Sequence, residues 1–361
     1  MENKNKDIIN TIGFILILII MFIANILKPN QDISITERRK LAQFPEITFK
    51  KLINGDVSKQ IEKYTVDQFI LRDSFRKIKA FFSINILNQQ DNNNLFEKNG
   101  GIYKIDYPLQ EKNITKSAEK ISKIYEKYLQ GMEVYYAIIP DKNYYLENDK
   151  HLKINYDRLK EIVSKQLTDI KYIDIWDDLK LEDYYKTDLH WKQENLQKVV
   201  KKIKKDMGAP NIQEPDYTII GKGDFYGTYY GQLGLNVKPD KINILTNDML
   251  KNCKTYNYET KVTGKIYDEN KTNDKYDIYL SGATPIIDIE NPKADTDKEL
   301  LLFRDSFGSS IAPLLMQNYR KITLIDIRYI ASSLLDQYID FNNQDVLFLY
   351  STLVLNQNVL K

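Results

Sequence analysis

The chain has 361 residues, enough for one large domain or two modest ones with a substantial core. Its 52 basic and 50 acidic residues give a net charge of +2, without the basic excess typical of proteins that bind nucleic acid. The single cysteine, Cys253, excludes an internal disulfide and a cysteine-based metal cluster, and two histidines argue against a histidine-rich zinc site. We therefore expect no metal, no organic cofactor and no nucleic-acid partner.

The first predicted element is a membrane-spanning helix at residues 8–27, IINTIGFILILIIMFIANIL. Twenty uncharged residues at about 1.5 Å each span roughly 30 Å, the thickness of the hydrocarbon core of a bilayer. A cleaved signal peptide is the alternative, but its apolar stretch is normally shorter and ends in a small-x-small site, which Ala24 does not complete. The sequence therefore favours an uncleaved anchor.

The charges before this helix give its expected orientation. Lys4 and Lys6 favour a cytoplasmic N-terminus, and the acidic Glu2 and Asp7 that offset them count for little in this rule. We expect residues 1–30 to form a short cytoplasmic tail and a single-pass anchor in the cell membrane. The rest of the chain would then lie outside the cytoplasm.

Residues 31–113 predict a membrane-proximal region of linkers and helices. Between residues 56 and 85, apolar residues spaced among charged ones predict one or two amphipathic helices. The stretch NNNLFEKNGGIYKID, residues 92–106, is rich in turn-forming residues and predicts a short hairpin around Gly100 and Gly101.

Strand and helix patterns alternate through residues 114–361. Short apolar runs predict strands at residues 133–140, 172–176, 299–305, 321–327 and 345–351. Apolar residues at helical spacing predict helices at residues 114–131, 155–167, 191–208, 306–318 and 329–339. Residues from about 212 to 290 are poorer in helix signals and rich in glycine, tyrosine and threonine, which indicates an inserted β-rich region. This alternation is typical of an α/β domain with a parallel sheet.

One strand-to-helix junction carries a candidate nucleophile. In LLLFRDSFGSSIAPLL, residues 300–315, Ser306 lies between an apolar strand and a helix, where open α/β sheets place their sites. Its backbone N–H at a helix N-terminus could stabilise an oxyanion. The alternative is a structural one, because serine is also a favoured residue for capping a helix.

The segment YYKTDLHWKQE, residues 184–194, supplies a candidate base. A serine nucleophile needs an adjacent base, usually histidine, and His190 has Asp188 two positions earlier to orient its imidazole. His151 lies in a polar loop and is predicted to be a solvated surface residue. Asp188 could equally cap the next helix, and Trp191 could pin the turn or be the first core residue of that helix.

These two segments, with several others, resemble a known family. TDLHW and RDSFG are similar to motifs of the alginate O-acetylation proteins and of the DHHW proteins of Gram-positive bacteria. Further similar segments follow in the same order over some 300 residues: SITERRKLAQFPEITFKKLINGDVSKQIEKYTVDQFILRDSF, YYAIIPDKNYY, GDFYGTYYGQLG, YLSGATP and ITLIDIRYI. The resemblance implies an SGNH-hydrolase-like domain, a flavodoxin-like three-layer fold with a parallel sheet, at residues 114–361, with the insertion at about 212–290.

The resemblance also implies residue roles. Ser306 would be the nucleophile, His190 the base and Asp188 the residue that orients it, in the permuted order of this family. The chain departs from the family in two places: Leu189 stands where DHHW proteins have a first histidine, and Arg304 stands where the hydrolases often have glycine.

The sequence indicates the residues that would bind the oxyanion and the substrate less specifically than it indicates Ser306, His190 and Asp188. Gly282 is a candidate oxyanion donor, or a plain turn glycine. Arg328 could meet an anionic or sugar substrate, or form a structural ion pair near Asp326. Asp305 is a further candidate beside the nucleophile.

Two charged residues at the end of the strand predicted at 133–140 could also be either functional or structural. Asp141 and Lys142 either border the site or are ordinary loop charges.

The expected function is that of a membrane-anchored, extracytoplasmic serine acyltransferase or esterase. Its substrate would be a cell-surface or secreted polysaccharide, modified by O-acetylation. The family resemblance implies that a multispanning membrane acyltransferase would supply the acyl group. One alternative is a catalytically silent carbohydrate-binding or scaffold module of a polysaccharide modification or export complex, for which the 26 tyrosines offer stacking surfaces. Another is D-alanyl transfer to teichoic acid.

Overall fold

The computed structural model describes residues 2–147, 150–209, 215–269 and 274–361. Contacts divide the chain into two compact units: an N-terminal unit, Met1–Asn93 with Tyr230–Asn236, and a sheet unit, Asn94–Tyr229 with Val237–Lys361. The predicted insertion at 212–290 includes residues 212–214 and 270–273, which lie outside the described residues. The domain boundaries predicted at residues 31 and 114 stay predictions.

The N-terminal unit is mainly helical. Its elements are α1 (Glu2–Leu27), β1 (Ile33–Ser34), β2 (Arg39–Lys40), α2 (Phe49–Ile53), α3 (Asp56–Asp67), α4 (Arg72–Phe81) and a π-helical turn (Phe82–Ile86). Within α1, Asn5–Leu27 is long and apolar enough to cross a membrane. The helices predicted between residues 56 and 85 are therefore present as α3 and α4.

The strands of the sheet unit form three groups. Two hairpins are β3 (Leu95–Lys98) with β4 (Gly101–Lys104) and β7 (Thr218–Phe225) with β8 (Asp240–Thr246). The remaining strands are β5 (Val134–Ile139), β6 (Lys171–Tyr172), β9 (Lys254–Asn257), β10 (Val262–Gly264), β11 (Ile286–Glu290), β12 (Glu299–Arg304), β13 (Lys321–Ile325) and β14 (Asp345–Ser351).

Helices connect these strands. The α-helices are α5 (Glu111–Ile124), α6 (Tyr156–Gln166), α7 (Gln197–Asp206), α8 (Thr228–Leu233), α9 (Asp248–Asn252), α10 (Gly308–Leu315) and α11 (Thr352–Gln357), and α5 continues as a π-helical turn (Tyr125–Leu129). The 3₁₀ helices are Lys142–Tyr145, Trp176–Asp178, Leu181–Asp183, Gln193–Asn195, Lys275–Ile278, Met316–Asn318 and Ser332–Gln337. Helix α8 begins in the sheet unit, with residues 228–229, and ends in the N-terminal unit, with residues 230–233.

An eight-stranded sheet organises the sheet unit, in the order β10-β9-β11-β13-β12-β14-β5-β6. Strands β13, β12, β14, β5 and β6 are parallel, and β9, β10 and β11 extend the sheet with antiparallel pairs. Strand β12 lies between β13 and β14, and its residues 300–303 are apolar and buried, as expected of a parallel strand covered by helices on both faces. Its carboxyl end is therefore held rigidly, and Ser306 follows it directly.

Two predicted helices differ from the structure. The helix expected at residues 191–208 begins only at Gln197, because the side chains of Trp191 and Gln193 are fully buried and hydrogen-bonded to Ser310 instead of following one helical face. The helix expected at residues 329–339 is a 3₁₀ helix, Ser332–Gln337.

Candidate active site

Ser306 lies in the turn between β12 and α10, with its side chain partly exposed. The neighbouring Asp305 fixes this turn: its carboxylate accepts hydrogen bonds from the amides of Phe307 (3.0 Å) and of Ser351 at the end of β14 (2.8 Å). Helix α10 starts at Gly308, after Phe307, and the Ser306 hydroxyl points to His190. The alternative of a simple helix cap therefore does not describe Ser306.

His190 lies between Asp188 and Ser306 and contacts both of them. His190 Nδ1 lies 2.6 Å from Asp188 Oδ1, and His190 Nε2 lies 2.7 Å from Ser306 Oγ. Because an ionised carboxylate can only accept, Nδ1 carries the proton and Nε2 is left as an acceptor for the serine hydroxyl. This is the tautomer in which histidine can remove a proton from serine.

Backbone amides hold the Asp188 carboxylate in place. Oδ1 accepts from the amide of His190 (3.0 Å), and Oδ2 accepts from the amide of Thr228 in the inserted region (2.6 Å). Gly227 makes this approach possible, because a Cβ there would lie 2.3 Å from the Thr187 carbonyl oxygen and 2.4 Å from the Asp188 Cβ. Asp188 is fully buried in this arrangement and does not cap a following helix.

Aromatic side chains fix the plane of the imidazole. Tyr276 stacks on His190 with ring centroids 3.8 Å apart and an interplanar angle of 10°. The Tyr276 hydroxyl donates to Ser310 Oγ at 2.9 Å, and the Trp191 indole N–H reaches the same oxygen at 2.9 Å. Ser310 belongs to α10, so these contacts tie the histidine loop to the helix that follows the nucleophile.

Lys142 supports the loop that carries Asp188 and His190, so it is not an ordinary loop charge. Its buried ammonium donates to the carbonyl oxygens of Tyr185 (2.9 Å), Lys186 (3.1 Å) and Asp188 (2.8 Å). Burial lowers the pKa of Lys142 to about 7. The ammonium group of one side chain thus holds the backbone from which Asp188 projects.

Arg328 and Arg304 share one carboxylate next to the nucleophile turn. The Arg328 guanidinium makes a bidentate contact with Asp326, at 2.9 and 2.6 Å. Arg304 is fully buried with one guanidinium nitrogen 3.6 Å from Asp326, and burial lowers its pKa. Gly308 accommodates this side chain, because a Cβ at that position would lie 2.5 Å from the Arg304 Cβ.

Other candidates have local partners. The Gly282 amide donates to the Tyr279 carbonyl at 3.4 Å in a left-handed turn (φ +83°), and its oxyanion role stays a prediction. Asp141 accepts from the Tyr156 hydroxyl at 2.9 Å and is a buried structural carboxylate. His151 lies in a loop as predicted, but it is half-buried with its ring stacked on Phe96 and is therefore less solvated than expected.

The substrate role predicted for Asp305 and Arg328 stays untested, and their observed partners are structural. Sequence reasoning did not single out Tyr276, Thr228 or Gly227. The segment GDFYGTYYGQLG pointed to the region of the last two, whereas Tyr276 is one of 26 tyrosines and carries no distinguishing signal. Among the described residues, no group of three or more histidine, cysteine or acidic side chains is placed to hold a metal ion.

Comparison with solved structures identifies proteins of similar fold. A DHHW family protein from Eubacterium siraeum matches with a TM-score of 0.61 at 19% identity, over 74% of this chain and 95% of that protein. PatB1 from Bacillus cereus matches with a TM-score of 0.57 at 21% identity, over 75% of this chain and 98% of that protein. A second PatB1 structure contains a sulfonyl adduct and matches with a TM-score of 0.56 at 21% identity, over 74% of this chain and 96% of that protein. No protein-family model and no curated protein matches this chain.

The predicted α/β fold with a largely parallel sheet is therefore confirmed, and it is similar to the fold of the DHHW family protein and of PatB1. Within that class, the chain is similar in structure to a DHHW family protein, as its motifs predict. At these identities the likeness shows the fold, and the catalytic roles of Ser306, His190 and Asp188 stay predictions.

Proposed function

We propose that this protein is a membrane-anchored, extracytoplasmic serine O-acyltransferase or esterase that acts on a cell-surface or secreted polysaccharide. The observation that carries the proposal is the continuous contact from Asp188 through His190 to Ser306 at the carboxyl end of a central strand. The similar fold of a DHHW family protein supports it. Helix α1 would be the anchor.

In the first half of the reaction, Ser306 Oγ attacks the carbonyl carbon of an acyl ester. His190 Nε2 accepts the hydroxyl proton as the new C–O bond forms, and Asp188 stabilises the resulting imidazolium. The Ser306 amide, at the turn that leads into α10, would donate to the oxyanion. The imidazolium then returns its proton to the departing alkoxide, which leaves an acyl-serine.

In the second half, a hydroxyl group attacks the acyl-serine. His190 removes its proton and returns that proton to Ser306 Oγ as the acyl–serine bond breaks. A sugar hydroxyl as acceptor gives an O-acylated polysaccharide, and water gives ester hydrolysis. The acyl donor would come from a multispanning membrane acyltransferase, as the family resemblance implies.

Hydrolysis of 4-nitrophenyl acetate by the detergent-solubilised full chain tests the proposal. We expect Ser306→Ala and His190→Ala each to reduce the acyl-enzyme-dependent rate by about a thousandfold or more, because nucleophile and base act as one unit. His151→Ala is the matched control and should retain activity, because the histidine that contacts Ser306 is His190, whereas the ring of His151 packs on Phe96.

An inactive but folded protein would contradict the esterase proposal for this substrate. Equal rates in the unmodified chain and in Ser306→Ala would show that another group carries the hydrolysis. The first result would favour the carbohydrate-binding or scaffold alternative, and the second would overturn the assignment of Ser306 as nucleophile.

A further inference from the structure

Helix α4 of the N-terminal unit exposes its apolar face. Leu71, Phe75, Ile78 and Phe82 recur at intervals of four, three and four residues and so form one stripe along the helix and the turn that follows it. They are 64%, 45%, 52% and 53% exposed, respectively. In a helix of a water-soluble domain, such a stripe would face the core.

The polar face of α4 is the one that packs inward. Arg72 Nη1 forms an ion pair with Glu37 Oε2 at 2.5 Å, and Arg76 lies 3.3 Å from Glu37 Oε1. Arg76 also donates to the carbonyl oxygen of Gly231 at 3.0 Å, within the same unit. Ala80, on this face, is fully buried. The amphipathic pattern of α4 is therefore inverted relative to that of a helix on a soluble core.

The beginning of α4 is joined to the end of the candidate membrane-spanning helix. The Ile70 amide donates to Asn25 Oδ1 at 2.7 Å, and Lys28 Nζ donates to the Gln68 carbonyl at 3.3 Å. Because the apolar span of α1 ends at Leu27, these contacts hold the segment before α4 at the level where α1 would leave the bilayer.

The short helix α2 adds apolar surface to the same unit. Its apolar side chains Phe49, Leu52 and Ile53 are all exposed, and Lys50 and Lys51 lie among them. Aromatic and aliphatic residues on one face with lysines beside them are typical of helices that lie in a membrane interface.

We propose that α4 is an interfacial helix whose Leu71, Phe75, Ile78 and Phe82 side chains insert into the lipid at the outer surface of the bilayer. The occupant of this face is the lipid itself, because the stripe is apolar and begins directly after Ile70, whose amide is bonded to Asn25 near the end of α1. The inference rests on the proposed anchoring by α1. It gives the N-terminal unit a second membrane contact, which fixes its orientation on the membrane as well as its attachment.

Tryptophan quenching in vesicles tests this contact with the full chain. The protein is reconstituted into phosphatidylcholine vesicles whose acyl chains carry bromine, and single variants Phe75→Trp and Phe82→Trp are compared with Lys77→Trp on the solvent side of the same helix. The native Trp176 and Trp191 are buried and give a constant background. We expect the two stripe variants to be quenched at least about twofold more than Lys77→Trp, as an inserted apolar face requires.

A further variant, Phe22→Trp in α1, separates failure of the proposed interfacial helix from failure of the proposed membrane anchor. Strong quenching of Phe22→Trp with equal, weak quenching at positions 75, 77 and 82 would overturn the interfacial helix while leaving the anchor in place. Such a result would point to a protein partner on this face. Absence of quenching at Phe22 would overturn the anchor and the interfacial helix together.

Discussion

At the scale of single residues, the candidate site depends on a few atoms that approach closely. The Ser306 hydroxyl, the His190 imidazole and the Asp188 carboxylate are joined by contacts of 2.6–2.7 Å. These three residues could be proposed from sequence because TDLHW and RDSFG are distinctive segments. Their supports could not, because Thr228 and Tyr276 reach the site from 40 and 86 positions away from Asp188 and His190, and only the tertiary fold brings them there.

The surroundings of Arg304 could not be predicted from the sequence. It is an arginine within an otherwise apolar strand, and it is fully buried beside Asp326. Its Nε and one terminal nitrogen have no hydrogen-bond partner among the described residues. The departure from glycine at this position is accommodated by Gly308, which leaves space for the Arg304 side chain.

Gly227→Ala is expected to lower both the stability and the activity of the protein. A methyl group there would overlap the Thr187 carbonyl and the Asp188 Cβ, so we expect a loss of about 1–3 kcal/mol of stability, as overpacking typically causes, together with reduced esterase activity. The matched control is Gly221→Ala, whose Cβ would lie 3.6 Å from the nearest atom, Asn243 Oδ1. Thermal unfolding and 4-nitrophenyl acetate hydrolysis measure both effects. Equal behaviour of the two variants would contradict the close approach.

At the scale of elements, the parallel strands were the most predictable part of the fold. The apolar runs at residues 299–305, 321–327 and 345–351 correspond to β12, β13 and β14, because strands buried on both faces require continuous apolar sequence. The helix expected from residue 191 fails in its first turn, since buried polar contacts to α10 decide the conformation there. In the N-terminal unit, periodicity predicts the helices but does not reveal that α4 turns its apolar face outward.

The loop that carries Asp188 and His190 depends on buried Lys142. The ammonium is enclosed by the rings of Tyr103 and Tyr229, 5.1 and 5.2 Å away. Burial lowers the pKa of Lys142 to about 7; the nearby carboxylates of Asp188 and Asp240 oppose this shift, as does Asp141, and Lys192 adds to it. Folding therefore favours release of a proton from this side chain.

The pH dependence of stability follows from that shift. Between about pH 7 and pH 10, the unfolded chain binds a proton at Lys142 that the folded chain lacks, so this residue makes the free energy of unfolding rise with pH. Below about pH 7 both states bind the proton and the contribution is constant. We expect Lys142→Met to flatten the rise, as measured by unfolding followed through Trp176 and Trp191 fluorescence. The exposed control Lys201→Met should keep the slope of the unmodified protein, and an equal slope in Lys142→Met would contradict the assignment.

At the scale of the whole molecule, the chain combines a sheet unit that carries the candidate site with an N-terminal unit that carries the candidate membrane span. Length and hydropathy were enough to predict the span, because a bilayer sets a simple requirement of about twenty apolar residues. The division at residues 93 and 94, with the return of Tyr230–Asn236 to the N-terminal unit, could not be predicted from local sequence. It depends on contacts such as the Asn92 side chain with the Leu233 carbonyl, 141 positions apart.

Labelling with a sulfonyl fluoride tests whether Ser306 is an activated nucleophile, because such reagents react with serine hydroxyls that a neighbouring base activates. The full chain is treated with phenylmethylsulfonyl fluoride, and the modified peptide is identified by mass spectrometry. We predict a single adduct on Ser306 that is absent in Ser306→Ala and forms much more slowly in His190→Ala. An unlabelled protein with intact tryptophan fluorescence, or a label on another residue that persists in Ser306→Ala, would contradict the assignment of Ser306 as nucleophile.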